Sequence, residues 1–198
     1  MTDHPNARSA ERQRTTAETS ITLKLVLDGH GLHTIDTGIG FLDHMLRTLA
    51  RFSGMDIELT CKGDLHVDDH HTAEDTALAL GAAFDTALGD RAGIMRFGHA
   101  YAPLDEALCR AVVDLSGRPH PAVDLGFGRE QLGQLATENI THWFESFAIA
   151  GRMALHVDVL KGKNDHHRAE AAFKATALAL RHAITRTGGG IASEKGVL

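Results

Sequence analysis

Cysteine and the large aromatic residues are scarce in this sequence. Of its 198 residues, two are cysteine, one is tryptophan and one is tyrosine. Cys61 and Cys109 form no CxxC pair, so we expect neither a disulfide scaffold nor a cysteine-based zinc site. We interpret both residues as buried free thiols and take the cytoplasm as the expected compartment.

Long apolar runs and an excess of positive charge are also missing. No run of about 18 apolar residues occurs, so no membrane span is predicted. The polar first residues lack the apolar core of a secretion signal, and residues 1–12 are predicted to be a disordered leader. A net charge of −6 offers no basic surface to DNA or RNA. We therefore expect neither a membrane nor a nucleic-acid partner.

Histidine, by contrast, is abundant, with 14 residues, and some of these histidines recur in a repeated motif. The segments HHTAE (70–74) and HHRAE (166–170) agree at four of five positions, and each opens an Ala- and Leu-rich stretch. His44 and His142 precede the two segments at nearly the same distance. This pattern indicates an internal duplication. The predicted boundaries are a first half over 13–92, a second half over 93–185 and a C-terminal tail over 186–198.

Apolar periodicity predicts an α+β chain that repeats the same order of elements. A strand at 21–27 is predicted to form a hairpin, across the Asp28-Gly29 turn, with a partner strand near 32–35. Thr137 is predicted to cap the helix over 138–151. The other predicted elements are helices over 41–52, 71–88, 138–151 and 166–184, and strands over 57–61, 107–115, 119–125 and 153–160.

The duplicated histidines have the spacing of metal ligands. On a helix, His71 and His70 can each share a face with Glu74, whereas adjacent histidines diverge by about 100°. We therefore predict that each His-His pair is split between two ions, and that each ion takes ligands from both halves. Imidazole and carboxylate ligands suit Mn, Fe, Zn, Co or Ni, and more than four available positions favours octahedral Mn or Fe.

One HHxxE segment alone would more often be a solvated start of a helix, where the helix dipole favours glutamate. Two equivalent copies, each with a matching upstream histidine, favour a metal centre over that interpretation.

The motifs HVDDHHTAEDTALALG, FGHAYAPLDEAL, VDLSGRPH, HHRAEAAFKA and SEKGVL together resemble the imidazoleglycerol-phosphate dehydratases of histidine biosynthesis. The resemblance covers nearly the whole chain, and the absence of a DxD-type phosphatase segment makes it similar to the monofunctional form. It implies helices packed between two four-stranded sheets and two divalent ions per active site, usually Mn²⁺. It also implies a homo-oligomer of 24 subunits built from trimers, with active sites at the subunit interfaces.

The resemblance also implies roles for individual residues. One predicted ligand set is His70, His142, His166 and Glu170, and the other is His44, His71, Glu74 and His167. The substrate-binding residues implied by position are Glu18, Arg96, Arg118, Lys174, Ser193 and Lys195. The implied catalytic residues are Glu18, Glu74 and Glu170.

The implied reaction is the dehydration of D-erythro-imidazole glycerol phosphate to imidazole acetol phosphate. Metal ions would stabilise the deprotonated imidazole ring, and a carboxylate would remove a carbon-bound proton. Glu18 and Glu170 are the candidates for this base, and the sequence leaves the choice open.

Other functions fit parts of the same pattern. A binuclear metallohydrolase would use the two ions to activate water. A metal-storage shell would only sequester ions. Storage does not need a group of residues suited to binding phosphate, such as Arg96, Arg118 and Lys174. Histidines that bridge subunits for assembly are compatible with catalysis.

Overall fold

Two similar α+β halves follow one another in the computed structural model, which describes residues 7–196. The first half contains β1 (Ser9–Thr15), β2 (Thr19–Val26), β3 (His33–Asp36), α1 (Gly40–Ser53), β4 (Asp56–Gly63) and α2 (His70–Leu88). The second half contains β5 (Phe97–Leu104), β6 (Ala107–Asp114), β7 (His120–Asp124), β8 (Gln131–Leu132), β9 (Leu135–Ala136), α3 (Thr137–Ala150), β10 (Ala154–Lys161) and α4 (Asp165–Ala183).

Each half forms a four-stranded sheet with the same topology. The strand orders are β1-β2-β4-β3 and β5-β6-β10-β7, and in each sheet the last pair is parallel. The predicted hairpin between the strand at 21–27 and its partner near 32–35 is therefore wrong. Strand β3 pairs with β4, where His33 lies opposite Ile57, because α1 provides the crossover that a parallel pair requires.

The four helices lie between the two sheets. Helices α1 and α2 pack on the first sheet and α3 and α4 on the second, while α2 also packs on α3 and α1 on α4. Trp143 of α3 is fully buried; its ring stacks on that of Phe147 at a centroid distance of 5.2 Å and lies tilted to that of Phe173 on α4 at 5.1 Å. The predicted duplicated α+β fold, with helices between two four-stranded sheets, is confirmed.

Strand β1 overlaps the predicted disordered leader, so that prediction is wrong from residue 9 onward. The sequence of β1 lacks the apolar alternation of a strand, because Ala10 is the only apolar residue among those that face α2. Arg12 instead donates to Thr86 Oγ1 at 2.8 Å, and Arg14 donates to Asp75 Oδ1 at 2.7 Å. The guanidinium groups thus attach β1 to α2. Residues 1–6 of the predicted leader lie outside the described residues.

Strand β5 was not predicted, because its inward residues are too small to give an apolar pattern. Gly98, Ala100 and Ala102 face the helices, while Phe97 and Tyr101 on the same strand are exposed. A Cβ atom at Gly98 would clash with the carbonyl group of Ala179 on α4. The close approach of α4 therefore dictates the small residues of this strand.

The predicted capping role of Thr137 is also wrong. Helix α3 begins at Thr137, and its N-cap is Ala136, which makes no side-chain cap. The Thr137 hydroxyl donates to the Arg129 carbonyl at 2.7 Å, so it attaches the preceding loop to the helix.

Two expectations from composition can be compared with the structure. Cys61 and Cys109 are both buried and free, as predicted. None of the helices found between residues 7 and 196 combines the length and the apolar character needed to cross a bilayer.

Gly81 tests how tightly the helices of opposite halves are packed. A Cβ atom there would lie 2.6 Å from the Phe147 carbonyl oxygen and 2.8 Å from Ala150 Cβ on α3. We expect Gly81→Ala to lower the free energy of unfolding by about 1–3 kcal/mol, because the overpacking outweighs the better helix propensity of alanine. Urea unfolding measures the change.

Gly40→Ala is the matched control, because no atom lies within 4 Å of the added methyl group at this first residue of α1. Equal effects of the two substitutions would contradict a close contact between α2 and α3.

Candidate metal centre and anion-binding cavity

The first group of metal-type ligands joins α1 to α4. His44 Nε2 lies 3.1 Å from Glu170 Oε2, and His166 Nε2 lies 3.3 Å from the same oxygen. The side chains of the two histidines are 44% and 43% exposed, so the group is open to solvent on one side. Three ligand atoms that converge in this way, with open positions beside them, suit a divalent ion.

The second group joins α3 to α2 in the equivalent way. His142 Nε2 lies 3.2 Å from Glu74 Oε1, and His70 Nε2 lies 3.9 Å from Glu74 Oε2. The imidazole rings of His70 and His142 stack, with their centroids 5.0 Å apart. Each group thus takes one histidine from one half and a His-x-x-x-Glu pair from the other.

Within one chain, the helix packing groups these residues differently from the predicted ligand sets, which stay a prediction. Because α1 packs on α4, His44 meets Glu170 and His166, and it does not meet Glu74 as predicted. Because α3 packs on α2, His142 meets His70 and Glu74, and it does not join Glu170. Each group draws on both halves of the chain, and the predicted division of each His-His pair between two ions stays a prediction.

His71 and His167 belong to neither group, and each contacts an acid of its own half. His71 Nδ1 lies 3.0 Å from Asp64 Oδ2, and His167 Nδ1 lies 2.7 Å from Glu106 Oε2. These bonds raise the pKa of each histidine above its ordinary value. The bond from His167 likewise lowers the pKa of Glu106 to about 2.

The other ring nitrogens of these two histidines also face acids, at longer distances. His71 Nε2 lies 3.6 Å from Glu18 Oε1, and His167 Nε2 lies 3.9 Å from Asp105 Oδ2. Glu18 is exposed at the turn between β1 and β2. A predicted catalytic residue therefore lies beside a predicted ligand.

Sequence reasoning missed the partners that hold the ligands in place. Asn139 on α3 is buried, and its amide oxygen lies 2.9 Å from His70 Nδ1 while its amide nitrogen donates to Asp69 Oδ1. Asp69 in turn accepts from the backbone N–H of Ala136. The signal available in the sequence was an Asn in the first turn of the helix that carries His142.

Glu170 also bonds Lys174, which lies one helical turn further along α4. Lys174 Nζ lies 2.8 Å from Glu170 Oε1, and both side chains are largely buried. Burial by itself would raise the pKa of Glu170, but the Lys174 ammonium and the His44 ring outweigh it and hold the pKa below its ordinary value.

Four of the predicted substrate-binding residues line a cavity of about 950 Å³. Arg96 is anchored there by Asp114, which accepts from Nε at 2.7 Å and from Nη2 at 3.0 Å. Its Nη1 donates to the Ala192 carbonyl, so it also holds the C-terminal tail. Two guanidinium groups, an ammonium and a hydroxyl are suited to a phosphate group. The lining consists of Arg96, Phe97, Arg118, Ala192, Ser193, Glu194 and Lys195.

Glu18 and Lys174 do not line this cavity. Residues 197–198 of the predicted tail lie outside the described residues. The predicted site residues therefore occupy several separate places on one chain.

The chain resembles known proteins over most of its length. A sequence model of imidazoleglycerol-phosphate dehydratase matches residues 37–180. The dehydratase of that name from Phytophthora nicotianae is 60% identical over 192 residues, which cover 96% of this chain and 42% of that protein. The one from Phaffia rhodozyma is 56% identical over 197 residues, covering 96% of each. The crystal structure of the Staphylococcus aureus enzyme matches with a TM-score of 0.82 at 35% identity, covering 90% of this chain and 99% of that one.

The Lys174–Glu170 pair yields a prediction for the metal-free protein. The lowered pKa of Glu170 means that the pair stabilises the fold fully above the ordinary value of 4.5, and that this is lost as the pH falls through the lowered pKa. We expect Lys174→Met to lower the free energy of unfolding at neutral pH by about 1.5–3 kcal/mol. Denaturant unfolding across pH should show the deficit shrinking in acid.

Lys24→Met is the control, because Lys24 lies 3.1 Å from Glu11 in an exposed Lys–Glu pair, where we expect a loss of about 0–1 kcal/mol. A Lys174→Met deficit no larger than that of Lys24→Met, or one that is constant with pH, would contradict the assignment.

Proposed function

This chain belongs to the imidazoleglycerol-phosphate dehydratase family, and we propose that it converts D-erythro-imidazole glycerol phosphate to imidazole acetol phosphate in histidine biosynthesis. In chemical terms it is a metal-dependent hydro-lyase. The observation that carries the proposal is the pair of equivalent groups, each with two histidines and one glutamate drawn from both halves of the chain. A substrate that contains an imidazole ring suits such a pair, because its two ring nitrogens can each face one ion.

The ligands fit divalent metal ions in orientation as well as in type. In both groups every histidine turns Nε2 toward the glutamate oxygens, so the nitrogen and oxygen lone pairs can meet at one point. Nitrogen and oxygen ligands with open positions suit Mn²⁺, which is the ion we propose for both sites. When bound, two such ions supply positive charge that favours the deprotonated form of the substrate's imidazole ring.

We further propose that His71 and His167 each complete an ion site on another subunit. Both lie outside their own chain's groups, and both leave Nε2 on the side away from their acid at Nδ1. Each group provides only three ligands, so an additional histidine can be accommodated. Active sites at subunit interfaces follow from this arrangement, and the resemblance adds the 24-subunit assembly of trimers.

The cavity between Arg96, Arg118, Ser193 and Lys195 is proposed to bind the phosphate of the substrate. Arg96 is held by Asp114 and therefore presents its guanidinium group with little loss of side-chain entropy on binding. A metal-storage protein would have no use for this anion site. We propose that Lys174 contributes through its bond to Glu170, since it does not line the cavity.

Glu18 is the residue that we propose to remove the carbon-bound proton. Glu170 is less suited to this role, because Oε1 is engaged by Lys174 and Oε2 by His44 and His166. Glu74 faces two histidines in the same manner. Glu18 is exposed and lies 3.6 Å from His71 Nε2, so it is available to substrate beside the ion that His71 would bind.

The compartment that we propose is the cytoplasm, where a protein with two free, buried thiols keeps them reduced.

An assay with imidazole glycerol phosphate tests the reaction. We expect formation of imidazole acetol phosphate with Mn²⁺ present, loss of turnover after treatment with a chelator, and recovery when Mn²⁺ is added back. Metal analysis should give two ions per chain in the active form. Release of inorganic phosphate without a keto product would point instead to a metallohydrolase.

Glu18→Gln tests the proposed base. We expect turnover to fall by about 10²–10⁴-fold while the metal content stays at the wild-type level, because the substitution removes the proton acceptor and leaves the ligands in place. Glu11→Gln is the matched control, since Glu11 is an exposed acid on the adjoining strand β1. Full turnover by Glu18→Gln would exclude this role.

A further inference from the structure

Two acids that lie outside the metal groups make the same contact with the two histidines that also lie outside them. Resting on the proposed function, we infer that Asp64 and Glu106 are positioning residues for metal capture. Each holds its histidine with the proton on Nδ1, so that Nε2, whose acidic neighbour lies 3.6 Å away in His71 and 3.9 Å away in His167, can bind an ion of another subunit. The two acids would thus contribute to metal binding although they contact neither the ion nor the substrate.

The chemistry of the imidazole ring supports this inference. A neutral ring carries one proton, and only the nitrogen without it can bind a metal ion. A carboxylate accepts hydrogen bonds and cannot donate them, so an acid against Nδ1 requires the proton to be there. The contacts of 3.0 Å from His71 to Asp64 and 2.7 Å from His167 to Glu106 therefore select the form in which Nε2 is the ligand.

The backbone fixes Glu106 in place. It lies at the turn between β5 and β6, and its Oε1 accepts from the backbone N–H groups of Lys163 at 3.0 Å and Asn164 at 2.8 Å. Because Asn164 is the N-cap of α4, Glu106 attaches the turn to the start of the helix that carries His167. Its Oε2 is then directed at the ring.

Asp64 is held differently, and this difference makes the inference testable. It follows β4 directly, its side chain is only 17% exposed, and both of its oxygens lie within reach of His71 Nδ1, at 3.0 and 3.2 Å. Neither oxygen has a backbone donor among the bonds found in residues 7–196. An amide at this position could therefore turn its oxygen to the ring.

An amide in place of Glu106 has no such freedom. The two backbone donors of Lys163 and Asn164 require an oxygen, so the Glu106→Gln side chain would present its NH₂ group to His167 Nδ1. That nitrogen would have to accept, and the proton would move to Nε2, where it blocks metal binding.

The experiment compares Glu106→Gln with Asp64→Asn by titrating each metal-free protein with Mn²⁺ and measuring the free ion by electron paramagnetic resonance. We expect Glu106→Gln to weaken one of the two ions per chain by about 10–100-fold. Asp64→Asn should bind both ions nearly as the wild type does. Asp64→Ala, which has no acceptor, should again weaken one ion.

Glu58→Gln, on the outer face of β4, is the control that removes an acid without touching a histidine, and it should not change either affinity. Urea unfolding of the metal-free variants checks that Glu106→Gln keeps the wild-type stability, as the retained backbone bonds require.

Two results would overturn the inference alone, while the wild type remained an active enzyme with two ions per chain. One is unchanged Mn²⁺ affinity in Glu106→Gln. The other is equal weakening by Glu106→Gln and Asp64→Asn, which would show that charge matters and the choice of protonated nitrogen does not. A wild type that binds fewer than two ions would overturn this inference together with the proposed metal site.

Discussion

The packing of helices from opposite halves is the constraint on which the candidate site depends. Because α1 packs on α4 and α2 on α3, His44 and His142 each lie over the His-x-x-x-Glu pair of the other half. A shift of one residue along a helix turns a side chain by about 100° and moves it by about 1.5 Å. Such a shift would separate the candidate ligand atoms, which lie within 4.8 Å of one another, and would disrupt the group. The small residues of these helices, such as Gly81, thus serve the site as well as the core.

The two halves share the same types of candidate ligand but differ in the acids that contact the second histidine of each His-His pair. In both halves the turn between the first two strands carries a glutamate close to the second histidine of the pair. In the second half Glu106 faces Nδ1 of His167, whereas in the first half Glu18 faces Nε2 of His71 and Asp64 occupies the Nδ1 side. The two halves therefore differ in their turn acids: Glu18 is the base that we propose, whereas Glu106 contacts a histidine at Nδ1. The two sites are alike in their ligands and unlike in what surrounds them.

The sequence predicted the duplicated fold, all four helices and the residues of both candidate metal groups, because periodicity and repeated motifs are local signals. It did not predict β1 or β5, whose inward residues are arginine, glycine or alanine that contact helices far away in sequence. It also did not predict which histidine meets which glutamate within one chain. That choice depends on how the two halves pack, and no short stretch of sequence encodes it. Asp64 and Glu106 were missed because an acid's role depends on the ring nitrogen that it faces.

The candidate metal groups lie outside the apolar core, and this separation bears on where the binding energy of an ion can act. The helices are held by fully buried apolar side chains such as Trp143, Phe84 and Phe173, whereas the six ligands of the two groups lie partly exposed at the edge of that layer. Ions bound there add little to a core that is already complete. If His71 and His167 bind ions of other subunits, each ion binds the assembled form better than the separate chain, and the difference in affinity stabilises the assembly. Metal content and subunit association would then be linked equilibria, with the positioning acids favouring the association.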